Sequence, residues 1–192
     1  MADVRAIYAV GSSLVTRLER SYDAYAWPGG DKPACSFQLV GAGELSKATA
    51  LKKGVVFFLY RVQRSQSARP AVGAAADTGR LSLPLDLHYL VFPWGDSAQE
   101  EAHALAWTMR ELARHPTIGP GDLGDGFAAW ESVQLTLGEL SNEDLMRIWD
   151  AIDPPYRLSV PYVARGVQID IDAPLEGAPV VARKLVFERI PG

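Results

Sequence analysis

The stretch from Leu81 to Ile118 constrains the fold more than any other part of the sequence, because it contains a strand, a turn and a capped helix in succession. Side chains in Leu85–Phe92 alternate between two faces, and both faces are at least half apolar. A strand with this pattern is covered on both sides, so we expect it at the centre of a sheet.

A helix follows this strand after a short turn. Ser97 and Glu100 have the spacing of a capping box, in which each side chain binds a backbone N–H of the first turn. His115 precedes Pro116, and the residue before a proline disfavours the helical conformation, so the helix ends there. Apolar residues at helical spacing predict the face that packs on the sheet: Ala102, Leu105, Ala106, Met109, Leu112 and Ala113.

Hydrophobic periodicity predicts the remaining elements. We expect a helix over Asp3–Tyr25 and a short helix capped by Ser141, with Asp144 at the third position. Strands are expected at Cys35–Val40, Gly54–Val62, Ser132–Leu137, Tyr156–Asp170 and Pro179–Ile190. The second of these should lie beside the central strand. Pro161 predicts an edge position or a bulge for its strand.

Two segments rich in small and polar residues, Gln63–Arg80 and Ile118–Gly126, are expected to be exposed loops. No internal repeat or linker divides the sequence. The order of elements predicts one α+β (mixed α/β) domain over residues 1–192, with one mixed, mainly antiparallel sheet flanked by two or three helices. Residues 171–192 are expected to form a C-terminal strand or arm.

Composition narrows the class of protein. A hydrophobic fraction of 48% in 192 residues suits one full core. The net charge of −4 argues against nucleic acid as a partner. The single cysteine, Cys35, excludes an internal disulfide framework and indicates a reducing compartment. Neither a signal-peptide pattern nor a membrane-length apolar run occurs, so we expect a soluble cytoplasmic product without membrane contact.

Few residues suggest a catalytic or metal-binding role. Asp86 and His88 share one strand face about 7 Å apart, a spacing that suits a metal or an acid–base pair. No third ligand follows at a metal-site spacing, which favours an oriented histidine in a sheet or a subunit interface. Gly41–Lys47 lacks the P-loop spacing, and Cys35 has no local activating partner. The sequence therefore predicts no enzyme and no cofactor, and a small-ligand or metal-binding enzyme using Asp86 and His88 stays open as an alternative.

Three ordered blocks carry a resemblance to a known family. The first runs from Leu85 through Trp94-Gly95-Asp96 to His115-Pro116, the second spans Leu137–Val160, and the third is Phe58–Val62. Together they resemble the tail-terminator, or cap, proteins of extracellular contractile injection systems of the anti-feeding-prophage class, which are similar to phage tail-terminator proteins.

The resemblance implies a structural protein with a tail-terminator-like fold. Such a protein forms a ring, a homo-hexamer, that closes the distal end of the inner tube, contacts the last sheath ring and fixes tail length. Its partners are itself, the tube protein and the sheath protein. It is assembled in the cytoplasm and becomes part of a phage-tail-like particle that is released. An adaptor that binds another tail component without forming a ring is the other structural alternative.

A ring requires two different contact patches on each subunit. We expect one patch in the Gln63–Arg80 loop and another in the C-terminal segment. Tryptophans beside loops are further candidates, because this residue type is enriched at interface hot spots. The candidate interface residues are Arg64, Arg69, Trp94, Trp130, Arg183 and Lys184.

Overall fold

The computed structural model describes residues 4–28, 32–47, 51–66, 81–124, 127, 131–152 and 155–171. These residues contain four helices and six strands. The helices are α1 (Ala6–Ala24), α2 (Ala42–Leu45), α3 (Ala98–Arg114) and α4 (Asn142–Asp150). The strands are β1 (Ser36–Val40), β2 (Gly54–Arg64), β3 (Leu81–Trp94), β4 (Thr117–Ile118), β5 (Val133–Leu137) and β6 (Val160–Ile171).

All six strands belong to one sheet with the order β1-β2-β3-β6-β5-β4. β1 and β2 are parallel, whereas every other neighbouring pair is antiparallel. The predicted fold class, a mixed and mainly antiparallel sheet flanked by helices, is confirmed. The prediction that β2 lies beside β3 and that β3 is central is also confirmed.

The sheet carries a separate core on each face. α1 and α3 cover the larger core, in which Leu14, Leu105 and Tyr89 are almost fully buried. α2 and α4 cover a smaller core around Phe92 and Trp149, whose ring centroids lie 5.0 Å apart. β3 contributes buried side chains to both cores, which explains why both faces of this strand are largely apolar. None of the described helices is both long enough and apolar enough to cross a membrane.

The ends of α3 lie where the sequence predicts them. Ser97 Oγ accepts a hydrogen bond from the Glu100 backbone N–H at 3.2 Å, and the helix ends before His115. The second half of the capping box differs, because Glu100 Oε2 accepts from the backbone N–H of Asp96 instead of Ser97. α4 begins in the same way, with Ser141 Oγ accepting from the Asp144 N–H at 3.0 Å.

The predicted buried stripe of α3 is only partly correct. Leu105 and Leu112 are buried, but three alanines of the stripe are exposed: Ala102, Ala106 and Ala113. Trp107 is buried in their place and packs edge-on against Tyr22, with ring centroids 4.7 Å apart. The helix is therefore rotated toward α1, because a tryptophan removes far more apolar area from water than an alanine.

Of the two alternatives predicted from Pro161, the edge position was wrong, because β6 lies inside the sheet between β3 and β5; a bulge does occur in β6, but at Arg165 and Gly166. The Pro161 carbonyl accepts a hydrogen bond from the N–H of Gly138, just beyond the end of β5. In an antiparallel strand the N–H and C=O of one residue point to the same side. An N–H at residue 161 would thus also point toward Gly138, beyond the last residue of β5. Its absence removes no hydrogen bond within β5, so this inner strand accommodates the proline.

Two irregularities bend the long strands. Arg165 and Gly166 together oppose Asp86, and Gly166 has a φ of +89°. A Cβ at Gly166 would lie 3.0 Å from the backbone oxygen of Ser132, so both conformation and space require glycine there. Tyr60 is the extra residue in the pairing of β2 with β3.

β3 and β6 extend beyond their neighbours as a two-stranded ribbon. The pairs from Leu81↔Ile171 to Pro84↔Gln168 lie past the last residue of β2, which pairs with Leu85. We call residues 81–84 and 168–171 the ribbon. It makes β3 longer at its start than the predicted Leu85–Phe92.

Polar contacts attach α1 to the end of α3. The buried Arg17 donates hydrogen bonds of 2.8 Å to the backbone oxygens of His115 and Thr117. Ser13 Oγ accepts from the Gly124 N–H at 3.0 Å, and Arg20 pairs with Asp122 at 2.7 Å. These contacts give residues 117–124 a defined course, although the sequence predicts a loop there.

Several other boundaries differ from prediction. Gln63 and Arg64 belong to β2 instead of the following loop, and α2 forms at Ala42–Leu45, where no helix was predicted. β6 begins at Val160 rather than Tyr156. Most of the predicted Gln63–Arg80 loop and the predicted strand Pro179–Ile190 lie outside the described residues.

Candidate functional site

Asp86 and His88 lie on the β3 face that also carries Phe92, next to the bulge at Gly166. Asp86 is buried, and its Oδ1 has no hydrogen-bond partner within the described structure; the same holds for His88 Nε2. The His88 ring packs edge-on against Tyr60, with centroids 6.0 Å apart.

The electrostatic surroundings disfavour a charged His88. Burial lowers the pKa of His88 below its usual value, and the nearby Arg61 and Arg165 lower it further, while Asp86 opposes them. No group of three metal-ligating side chains occurs among the described residues. The surroundings of His88 in the sheet therefore favour its neutral form.

The other two histidines lie within α3 and at its end. His115 lies at the end of α3, with Nε2 3.7 Å from Glu111 Oε1. His103 is exposed and lines a cleft of about 430 Å³ between the end of α1 and the start of α3. Tyr22, Trp27 and Cys35 form its apolar wall. Burial raises the pKa of Cys35 to about 11, which keeps this thiol protonated and poorly nucleophilic.

Trp94 lies at the end of β3 and is half-buried. The guanidinium carbon of Arg157 lies 3.9 Å from the centre of its ring, and the same guanidinium binds Glu101 of α3. The Gly95 N–H also donates to Glu101, at 3.2 Å. One face of Trp94 is thus covered within the subunit, and this cluster fixes the segment that leads into β6.

Exposed apolar side chains occur at both ends of β6. At its start, Leu137 is 59% exposed and Leu158 is 55% exposed. Leu135 and Tyr162 are buried on the face that α1 and α3 cover. Leu137 is two residues from Leu135, and Leu158 is four residues from Tyr162, so both lie on that same face. The exposed α3 alanines lie on the same side of the sheet. We call Leu137 and Leu158 the β5 surface.

The second exposed surface is formed by the ribbon and the end of β2. Leu83, Ile171 and Val62 are 37%, 42% and 42% exposed. The exposed Arg64 pairs with Leu85 at this end of the sheet. We call Val62, Leu83 and Ile171 the ribbon surface. Leu158 and Ile171 are 13 residues apart, so the two surfaces are separated by about 40 Å along the strand.

The predicted interface residues are only partly described. Trp94 lies at the end of the sheet that carries the β5 surface, and Arg64 lies at the ribbon surface. The other four lie outside the described residues: Arg69, Trp130, Arg183 and Lys184. Leu137 and Leu158 were not among the predicted residues. A leucine at the end of a run of alternating strand residues was the available signal for Leu137.

The model of one protein family, the Pvc16 N-terminal domain, matches residues 9–183. The chain belongs to this family. The match covers most of the sequence and confirms the resemblance drawn from the three sequence blocks. No curated protein sequence matches the chain.

Two solved structures show the same fold. One is the sheath/tube terminator of the PVC extracellular contractile injection system in the extended state, with a TM-score of 0.51 and 18% identity; the match covers 93% of this chain and 63% of that one. The other is the anti-feeding prophage tube-terminating cap, with a TM-score of 0.50 and 18% identity; the match covers 88% of this chain and 58% of that one. The chain therefore spans less than two thirds of the length of either protein.

Proposed function

We propose that this protein is a subunit of the cap that terminates the inner tube of an extracellular contractile injection system. In this proposal residues 1–192 form one domain, six copies form a ring on the last tube ring, and the ring contacts the sheath and fixes tail length. The subunit has a structural role and no enzymatic one. The observation that carries the proposal is the Pvc16 family match over residues 9–183, together with the fold shared with two terminators.

The two exposed apolar surfaces support a ring. A ring forms when one patch of a subunit binds a different patch of the next subunit and the rotation closes. The β5 surface and the ribbon surface differ in sequence and lie at opposite ends of β6, as a head-to-tail contact requires. Both surfaces offer exposed apolar side chains, and a subunit interface buries such side chains at its centre.

The proposed localisation follows from the same similarity. The subunit is assembled onto tubes in the cytoplasm and then leaves the cell as part of the particle. Its partners are other copies of itself, the tube protein and the sheath protein. In the ring, Arg64 lies in the contact made by the ribbon surface, and Trp94 lies near the contact made by the β5 surface. Arg69, Trp130, Arg183 and Lys184 complete the proposed contacts.

The ring is tested with two complementary variants. Leu137→Asp with Leu158→Asp places charge on the β5 surface, and Leu83→Asp does so on the ribbon surface. Each variant alone should remain monomeric in the presence of purified tubes, because an unpaired carboxylate is costly to bury. Met146→Asp is the matched control, since Met146 is 44% exposed on α4, away from both surfaces, and it should still form rings.

Mixing the two variants provides the sharper result. Each retains one intact surface, so a mixture should form dimers and no larger species, as measured by mass photometry and by electron microscopy of the tubes. Rings from either variant alone would contradict the assigned surfaces. Tube binding by a wild-type monomer without ring formation would instead establish the adaptor alternative.

A further inference from the structure

Within the ribbon, one edge of β6 is open. A single hydrogen bond of β3 shows to which side the backbone N–H and C=O of Gln168 point. The Pro84 carbonyl accepts from the Ser65 N–H at 3.0 Å, so the backbone polar groups of Pro84 point toward β2. In an antiparallel pair the two opposed residues either exchange both hydrogen bonds or point both sets away from each other. Gln168, the partner of Pro84, therefore directs its N–H and C=O away from β3.

The neighbouring strand does not reach this position. β5 pairs with β6 only from Tyr162 to Arg165. Among the described strands, none lies beside Gln168 on the side away from β3. The edge also carries exposed apolar area, because Ile171 of β6 and Leu83 of β3 are partly exposed on the face that α1 and α3 cover elsewhere. An open edge of this kind is a template for another strand.

The sequence after β6 supplies a suitable strand. Residues 180–187 read VVARKLVF and are rich in β-branched and large apolar side chains. Asp172–Ala178 contains a proline and a glycine and connects this segment to the end of β6. Seven residues reach up to about 24 Å, far more than the spacing of about 4.8 Å between neighbouring strands.

We propose that residues 179–184 of the same copy pair antiparallel with the edge of β6 at Gln168 as a seventh strand. A short tether gives the segment an effective concentration in the millimolar range, which favours its own copy over a neighbour. Val181 shares a strand face with Arg183 and Leu185, and this face extends the ribbon surface beside Ile171, while Leu83, one strand further away, stays exposed for the contact in the ring. Lys184 lies on the opposite face, which carries Asp86. The proposal is independent of the cap function.

Amide hydrogen exchange by NMR tests this strand on the full chain. The Gln168 N–H should exchange slowly at every protein concentration. In a paired strand, adjacent residues alternate between donating to the neighbour and pointing outward. Proline should therefore disrupt the pairing at one of two adjacent positions and be tolerated at the other, as at a sheet edge. Of Ala182→Pro and Arg183→Pro, one should accelerate Gln168 exchange at least about tenfold and the other should change it little.

The Leu135 N–H is the internal control, because it donates to the Pro116 carbonyl between β5 and the start of β4, in a pairing that does not include Gln168. Its exchange should be the same in both variants. Unchanged Gln168 exchange in both variants, or equal acceleration in both, would overturn the strand. Protection of Gln168 that increases with protein concentration would show that another copy occupies the edge and would overturn the assignment to the same chain.

Discussion

Replacement of Arg17 by methionine should destabilise the fold far more than its place on a surface helix suggests. The side chain is only 7% exposed, and both terminal nitrogens donate at 2.8 Å to backbone oxygens, one of His115 and one of Thr117. These oxygens belong to the end of α3 and the start of β4. Arg17 thus donates to one carbonyl that the end of α3 leaves without a partner and to a second one at the start of β4.

The magnitude follows from the two hydrogen bonds. A bond to a charged group contributes about 1.5–3 kcal/mol, and methionine retains most of the aliphatic packing. The loss for Arg17→Met should therefore be about 3–5 kcal/mol. For a chain of this length, each kcal/mol lowers Tm by roughly 2–4 °C, so a decrease of roughly 6–20 °C is expected. Arg17→Lys should fall between, since an ammonium group cannot span both oxygens in the same way.

Urea unfolding followed by circular dichroism measures this loss. Arg20→Met is the matched control, because Arg20 lies one turn away and makes an exposed ion pair with Asp122. Such a pair contributes at most about 1 kcal/mol. Equal losses for Arg17→Met and Arg20→Met, or a loss below about 1 kcal/mol for Arg17→Met, would show that these hydrogen bonds do not hold α1 to the end of α3.

Two further predictions concern the bulge and its surroundings. Gly166→Ala should cost about 1–3 kcal/mol in urea unfolding, because φ is +89° and the new Cβ meets the Ser132 oxygen; Gly119→Ala, with open space around it, should change stability little. Because burial and Arg61 lower the pKa of His88, the unfolded chain binds the proton first, so stability should fall as pH decreases below about 6.5. The variant His88→Gln should lose less stability than wild type between pH 7.5 and 5, and an identical loss in both proteins would contradict this assignment.

Elements with strong local signals were predictable from the sequence. α1, α3 and α4 have apolar periodicity, and α3 and α4 begin at capping serines. The apolar runs of β2 and β3 predicted adjacent central strands, as observed. These signals are local, so they can be recognised in the sequence without knowledge of the rest of the fold.

Features decided by tertiary contacts could not be predicted. The rotation of α3 depends on the aromatic group of Tyr22 and Phe37, which receives Trp107 from a helix some 70 or more residues away in sequence. The inner position of β6 depends on where β5 ends. Because β5 ends at Leu137, before the residue opposite Pro161, the missing N–H of Pro161 removes no hydrogen bond between these two strands. The exposure of Leu137 and Leu158 could not be predicted either, because it requires the positions of both neighbouring strands.

The pairing of β3 with β6 also has a kinetic consequence. β6 begins at Val160, 66 residues after β3 ends at Trp94, so the central ladder cannot close until that length of chain has been made. At a synthesis rate of about 5–20 residues per second, β3 waits roughly 3–13 s on the ribosome. During that interval β3, which is largely apolar on both faces, has only β2 beside it in the sheet. Nascent chains of this protein should therefore be at their most aggregation-prone before the last third of the sequence emerges, and binding of chaperones should concentrate on that window.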